Sequence, residues 1–446
     1  MIHDLGEIFK NHKLQHRIIH KDIFFINGQE KNDPEINELK SKLVDVAIKQ
    51  KSWGRRMPIA WVPLELQMSE LRLHDMNIIS KEELMTLNQR NEDLALNVKQ
   101  IEHFLNVQHS LGKILYFDNQ GLNHFIIVQP QSLVNILRSF ITDEHFWPKE
   151  KKFNDILSAL TDTGQISKAD LLKLWSQEKF HQHMPNDYLK EFIMQILVHL
   201  GILIEPKRYS QEQESKVQSY LVPCIVKRAF PVTDVKSANK MICLSYTLLK
   251  SAIPAALAYK LIGAAINLWP LKVTPEGICL YHQAAILSID ESNELHLWVK
   301  DDKVYVYLIN KVNKGLIAPN IASKVEQFLT LTMRKVLEIY HKNFGKSLST
   351  SDESKVFVKE VGEWCTSGGA CYISVLEAKE ERKWSCKNKK EHDTQYPLFW
   401  IFNNKVSLTC INLSLILFFL IFCNILRVTK YIKRCIALFL MKIPNE

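Results

Sequence analysis

The hydrophobic period of this chain changes across one polar run, and that change separates what can pack as helices from what can pair as a sheet. From Trp61 to about Glu205 the apolar residues recur mainly three and four apart, the spacing of one helix face. After Pro206 the chain is rich in Gln, Glu, Ser and Lys as far as Ser219, the composition of a surface loop and a natural subdomain boundary. Beyond it Val304, Val306 and Leu308 alternate with Tyr305, Tyr307 and Ile309, so a strand there is apolar on both faces and must be covered on both. The expected fold class is α+β, helices first and a mixed β/α part second.

Within the helical part, Ser80-Lys-Glu-Glu83 is a capping box that opens a helix with Leu84 and Leu87 on its apolar side. A second helix is expected over Leu94 to Leu105, where Val98, Ile101 and Leu105 keep helical spacing. Leu111 to Tyr116 reads as a short strand and Phe125 to Val128 as its antiparallel partner across the turn Asp118 to Gly121. Ser158 to Glu205 has the pattern of a winged helix. Ser167 caps one helix, Asp170 stands at its third position, and Leu171, Leu172, Leu174 and Trp175 are its buried side. The next helix carries Leu189, Phe192, Ile193, Ile196, Leu197 and Leu200 as one stripe, closed by Gly201. From Tyr188 to Leu200 the chargeable groups are Lys190, Glu191 and His199, too few for a phosphate-binding face, so this unit is expected to contact protein rather than nucleic acid.

In the β part, Tyr220 to Pro223 is a strand entry, and Leu295 to Lys300 is expected to pair with Lys303 to Ile309 across Asp301-Asp302 as a hairpin. Ser251 to Leu271 is apolar enough to suggest a membrane span, but Lys260 at its middle and Pro254 and Pro270 near its ends favour a packed helix followed by a turn. Ala322 to Phe344 is an amphipathic helix with Val325, Phe328, Leu329, Met333, Val336, Leu337 and Tyr340 on one broad face.

Ahead of Trp61, Ile23 to Ile26 is a short apolar run ended by Asn27-Gly28, the pattern of a buried parallel strand. Asp33-Pro34 then caps a helix on which Ile36, Leu39, Leu43, Val46 and Ala47 recur. Phe24-Phe-Ile-Asn-Gly28 followed by Met57-Pro-Ile-Ala-Trp-Val-Pro-Leu-Glu65 resembles the junction at which a Ras-like Roc domain hands over to its COR partner. Trp61 to Leu71, Leu137-Arg138-Ser139-Phe140, Gly164-Gln165-Ile166-Ser167 to Trp175, and Ile253-Pro254 to Leu261 extend the resemblance in order, to about Leu348. The chain is thereby similar to the Roco family.

That resemblance implies the first three parts of a five-part layout, and composition adds the last two. Residues 1–56 would be the C-terminal remnant of a Roc domain, one strand and one helix of an α/β GTPase sheet. Residues 57–205 would be a helical COR subdomain with the winged-helix-like unit, and 206–348 a β-containing COR subdomain. A Cys/Trp-rich extension, 354–403, and an apolar segment, 406–426, follow. It also implies a non-catalytic module for dimerisation and signalling assembly, whose partners are a second copy, a Roc GTPase domain or signalling proteins. GTP chemistry would belong to residues upstream of this chain, which alone is expected not to bind GTP. The alternative is that the chain is the C-terminal fragment of a complete Roco GTPase.

Composition narrows the partners further. The formal charge is +9, but six basic residues against Glu446 put +5 of it after Asn404, leaving +4 for the body. That is no bulk signal for polyanions, so no nucleic acid is expected. His3, Asp4, Glu7 and Lys10 break any signal-peptide core, and a cytoplasmic body is expected, with Cys224, Cys243 and Cys279 as reduced core thiols. Val406 to Leu426 is uncharged over a length that spans about 30 Å of hydrocarbon, and it is expected to be a transmembrane helix that tethers the body.

Catalytic patterns are incomplete. Gly345-Lys346-Ser347 ends like a phosphate loop, but Tyr340 stands where the first glycine is required. Asn310-Lys311-Val312-Asn313 approaches a guanine-reading motif but ends in Asn where Asp is needed. Cys365, Cys371, Cys386 and His392 are different. Three thiolates and an imidazole are a tetrahedral zinc set, and Gly368-Gly369 allows a tight reversal between the first two. Their five-residue gaps are wider than usual, and the competing reading is isolated thiols in a small β extension anchored by Trp364, Trp384 and Phe399-Trp400. His181 and His183 lie in a polar loop without partners and are expected to be solvated.

Overall fold

The computed structural model describes residues 23–27, 29–30, 32–50, 53–54, 56–181, 183–206, 219–231, 241–249, 255–311, 317, 319–342, 357–365, 369–381, 383–386 and 390–393. They fall into two units, Met1–Val62 and Pro63–Glu446. In the first, helix α1 (Pro34–Ile48) starts where Asp33 and Pro34 predict it, Asp33 Oδ1 accepting the Glu35 N–H at 2.9 Å. The expected strand at Ile23 to Ile26 is not formed among the described residues. Its backbone is held by side chains instead: Phe25 N–H donates to Glu35 Oε2 and Asn27 N–H to Asp33 Oδ2, both at 2.7 Å. α1 buries none of its residues: Leu43 of its apolar side is exposed, and Ile36, Leu39, Val46 and Ala47 are half-buried.

The second unit begins with helices. In order come α2 (Val62–Leu73), β1 (Ile78–Ser80), α3 (Lys81–Gln89), α4 (Val98–Ser110), β2 (Phe125–Ile127), α5 (Pro130–Leu137) and α6 (Lys151–Thr163). Strand β3 (Gln165–Ser167), α7 (Lys168–Trp175), α8 (Glu178–His181) and α9 (Asp187–His199) complete this part. The capping box is present as read: Ser80 Oγ accepts the Glu83 N–H and Glu83 Oε2 accepts the Ser80 N–H. α4 starts later than its apolar spacing suggests, because Glu92–Leu94 forms a 3₁₀ turn and Asn97 takes a second capping box with Gln100. β2 pairs with β1, not with a strand at Leu111 to Tyr116. Leu111 caps α4, and only Leu115 of that run reaches β2, through a bridge to Ile127. Ser167 caps α7 as its side chain predicts, and Asn186 caps α9.

The β part follows with β4 (Ser219–Leu221), β5 (Met241–Leu248), α10 (Ala255–Ile266), β6 (Val273–Thr274), β7 (Gly277–Ile278), β8 (Leu280–Tyr281), β9 (Ala284–Ser288), β10 (Asn293–Lys300) and β11 (Lys303–Asn310). Then come α11 (Pro319–Lys342), β12 (Phe357–Cys365), β13 (Gly369–Ser374), α12 (Val375–Glu380), β14 (Lys383–Ser385) and β15 (Glu391–Asp393). Seven strands make one antiparallel sheet in the order β13-β12-β5-β11-β10-β9-β8. The hairpin predicted from the alternation is β10–β11, in register from Asn293–Asn310 to Lys300–Lys303.

Both faces of this sheet are covered, as the two-sided apolar pattern requires. On one face Leu244, Tyr246, Leu297 and Val306 pack with Leu257 and Leu261 of α10 and Leu329 and Met333 of α11. On the other, Cys243, Trp298 and Tyr307 form a cluster with Tyr305, Trp364 and Tyr372. α10 is a packed helix, which is what Lys260 and the flanking prolines favoured. Among the described residues no helix is long and apolar enough to cross a membrane, and 345–347 and 406–426 lie outside them.

The helical part meets the sheet part through β3 and β4. β3 pairs with β4, and Ile204 bridges Leu221, so the chain on either side of the polar run is laced into one ribbon. Gly164, at φ +71°, ends α6 and accepts the Val222 N–H on its carbonyl at 2.7 Å.

Candidate metal centre

The β12–β13 hairpin fixes two of the cysteines. In its register Cys365 opposes Gly369 and Glu363 opposes Cys371, so Glu363, Cys365 and Cys371 project from one side of the sheet edge. That closeness depends on Gly362, where a Cβ would collide with the Cys371 carbonyl. α12, capped by Ser374 accepting the Glu377 N–H at 3.2 Å, then turns the chain back. β14 and β15 form a three-pair hairpin whose turn is closed by the Cys386 N–H donating to the Lys390 carbonyl at 2.9 Å.

The four residues singled out from the sequence converge here. One ligand atom from each of Cys365, Cys371, Cys386 and His392 lies within 4.8 Å of every other. Cys365, Cys386 and His392 are buried and Cys371 is half-buried. The imidazole is oriented by two groups the sequence reading did not assign to it. Trp384, its register partner, stacks on it at 4.7 Å and 27°, and Glu363 Oε2 lies 3.7 Å from Nδ1. Nε2 is buried and accepts or donates no hydrogen bond. Burial, with the Cys386 and Cys365 thiols close by, pushes the Cys371 thiol up to about 12. Burial works to lower the His392 pKa, but the Cys386 and Cys365 thiols outweigh it and the value is raised.

This donor set has a definite chemistry. Sulfur ligands with one imidazole suit a borderline-soft ion in tetrahedral geometry, and the carboxylate on the far imidazole nitrogen is the usual support for a metal-bound histidine. The signal for Glu363 is in the sequence as the residue two before Cys365, on the same strand face, but only the strand assignment makes that spacing meaningful.

Other residues weighed from the sequence fall elsewhere. His181 is exposed as expected, but His183 is buried and its Nδ1 lies 3.2 Å from Asn77 Nδ2, joining the α8 turn to the segment before β1. The expectation of a solvated His183 is therefore corrected. Cys243 and Cys279 are buried free thiols and Cys224 is a half-buried one. Lys190 pairs with Asp187 at 2.9 Å and Lys168 with Glu191 at 2.6 Å, so these cations of α7 and α9 are engaged within the protein.

A family model described as C-terminal of Roc, COR-A domain, matches residues 58–226. The probable serine/threonine-protein kinase qkgA of Dictyostelium discoideum is 33% identical over 67 residues, which are 15% of this chain and 4% of that protein. The chain thus spans a small fraction of that relative's length. Among solved structures, Methanosarcina barkeri Roco2 RocCORdC bound to GDP aligns at 14% identity and a TM-score of 0.28, covering 44% of this chain and 52% of that one.

Proposed function

Because this chain belongs to the Roco family through the COR-A domain at residues 58–226, we propose that it is a non-catalytic module for dimerisation and signalling assembly. One observation carries the proposal. Within the family-matched segment α2 buries Leu64 and Met68 yet turns Leu66 and Leu73 outward, 66% and 83% exposed. With Val62 they form a stripe spaced four and seven residues apart along one side of the helix. A large apolar side chain at that exposure is common singly, but a stripe of them on one helix is an interaction face.

The occupant we assign is a second copy of this chain, with a Roc GTPase domain and signalling proteins as further partners of the assembly. Light scattering on the full chain during size-exclusion chromatography tests this. A dimer that Leu66→Glu with Leu73→Glu converts to monomer is the expected result. A strict monomer at high micromolar concentration would overturn the reading.

A second reading has its own support: α1 buries none of its residues and leaves Leu43, Val44 and Ile48 exposed, which suits a helix that normally lies against a sheet. On that reading the chain is the C-terminal fragment of a complete Roco GTPase, and its GTP-binding residues lie upstream. Extending the transcript in the 5′ direction separates the two: a glycine-rich phosphate loop within about 150 residues, the size of one domain, establishes the fragment. A membrane tether through 406–426 belongs to the same proposal and rests on composition. Alkaline carbonate should leave the full chain in the membrane pellet and release a chain ended at Asn404.

A further inference from the structure

We propose that Cys365, Cys371, Cys386 and His392 Nε2 bind one structural Zn²⁺, which fastens the β14–β15 hairpin to the β12–β13 edge of the seven-stranded sheet. This does not depend on the dimerisation reading.

The ligands arrive from three separate stretches: Cys365 and Cys371 on the sheet hairpin, Cys386 after β14 and His392 within β15. A tetrahedron with Zn–S bonds of about 2.3 Å sets its sulfurs roughly 3.8 Å apart. One donor atom from each of the four residues, a ring nitrogen for His392, lies within 4.8 Å of every other, so the set needs to draw together by only about 1 Å.

The histidine points to the same answer independently. Its side chain is 7% exposed and its Nε2 is buried without a hydrogen-bond partner, a costly arrangement unless another group completes it. Glu363 on the Nδ1 side favours the tautomer that carries its proton there, which leaves the Nε2 lone pair free for a metal.

Stability supplies a third reason. β14 and β15 are three residues each, and a two-stranded hairpin of that size is marginal in water. A four-ligand metal that joins it to the main sheet supplies what its small core lacks. A disulfide between two of the three thiols would hold the hairpin too, but it would leave the third thiol and Nε2 unmatched. Three sulfurs and a nitrogen also fill a tetrahedron, leaving no open position for water or substrate. The centre is therefore structural rather than hydrolytic.

Elemental analysis of the full chain, purified without chelator, should find about one zinc per chain. Cys386→Ser and His392→Ala should lower that content at least about tenfold, whereas His392→Cys, which keeps four ligands, and Cys224→Ser, away from the centre, should retain it. Replacing zinc with Co²⁺ should give sulfur-to-cobalt charge-transfer bands and the strong visible bands of a tetrahedral ion, so the wild-type chain decides the matter even if a ligand variant fails to fold. The proposal is overturned by natively folded wild-type chain that holds neither zinc nor Co²⁺. Iron in place of zinc, full zinc content in Cys386→Ser, or a disulfide among Cys365, Cys371 and Cys386 on non-reducing peptide mapping would overturn it equally.

Discussion

Trp175 Nε1 donates a hydrogen bond of 2.9 Å to Ser139 Oγ, and both groups are buried. The hydroxyl in turn donates a hydrogen bond to the Ile136 carbonyl at 2.6 Å, so α7 is tied through one side chain to the end of α5. Two stretches that were informative in the sequence only by their order are thus joined by a single polar contact inside an apolar core.

Ser139→Ala should therefore cost about 1–3 kcal/mol, because it strands a buried indole N–H. Trp175→Phe should cost more, since it also leaves a cavity. In the double variant the two losses should fall short of their sum by about 1 kcal/mol, the coupling expected of a shared contact. Urea unfolding of the four chains provides the measurement, and strict additivity would count against the bond.

Gly164 is constrained by space as well as by its φ of +71°. A Cβ there would lie 2.5 Å from Val226 Cγ2 and 2.8 Å from Leu280 Cδ2, where the helical part meets the sheet part. Gly164→Ala should lower stability by about 1–3 kcal/mol through overpacking and backbone strain together. Gly121→Ala, at φ +88° with open space around it, carries the strain alone and should cost less. Equal losses in thermal melts would show that packing at Gly164 contributes nothing.

Local signals were the most readable in the sequence. Ser80 with Glu83, Ser167 with Asp170 and Asp33 with Pro34 each specify a helix start within a few residues, and each cap is in place. The alternation from Val304 to Ile309 gave the covered hairpin for the same reason. Pairings set by distant residues were not readable. β1 is three residues long, too short to alternate, so its claim on β2 is invisible beside the nearer run at Leu111. His183 looked solvated because its partner, Asn77, lies 106 residues away. The four ligand types of the candidate metal centre stood out by chemistry, while Glu363 and Trp384 acquire their roles only from strand register.

Glu360 should behave as a clamp across three strands. Its Oε2 accepts from Ser245 Oγ at 2.6 Å, Thr247 Oγ1 at 2.9 Å and Lys303 Nζ at 2.9 Å, joining β12 to β5 and β11. Burial works to raise its pKa, but these donors outweigh it and hold the carboxyl below the usual value. Glu360→Ala should cost about 2–4 kcal/mol by leaving the Ser245 hydroxyl and the ammonium without their acceptor. Glu360→Gln, which keeps an acceptor oxygen, should cost less. Denaturant midpoints measured at neutral pH will rank them, and a more stable Ala variant would refute the clamp.

His109 and His199 both make edge contacts with Phe117, their ring centroids 5.8 Å and 5.1 Å from it. His109 Nδ1 accepts the Tyr116 N–H at 3.0 Å, so the neutral ring is the one this site accommodates. Burial pushes each histidine down to about 4 from an ordinary 6.5. The unfolded chain therefore takes up protons first as pH falls, so their contribution is complete above about 6.5 and is lost progressively toward 4. Two and a half units correspond to about 3 kcal/mol for each ring as an upper bound. The urea midpoint should accordingly hold steady at neutral pH and drop between about pH 6.5 and 4. His109→Gln, which retains polarity but cannot gain a proton, should remove roughly half of that slope. A midpoint that stays level through this interval would show that both rings are protonated in the folded protein.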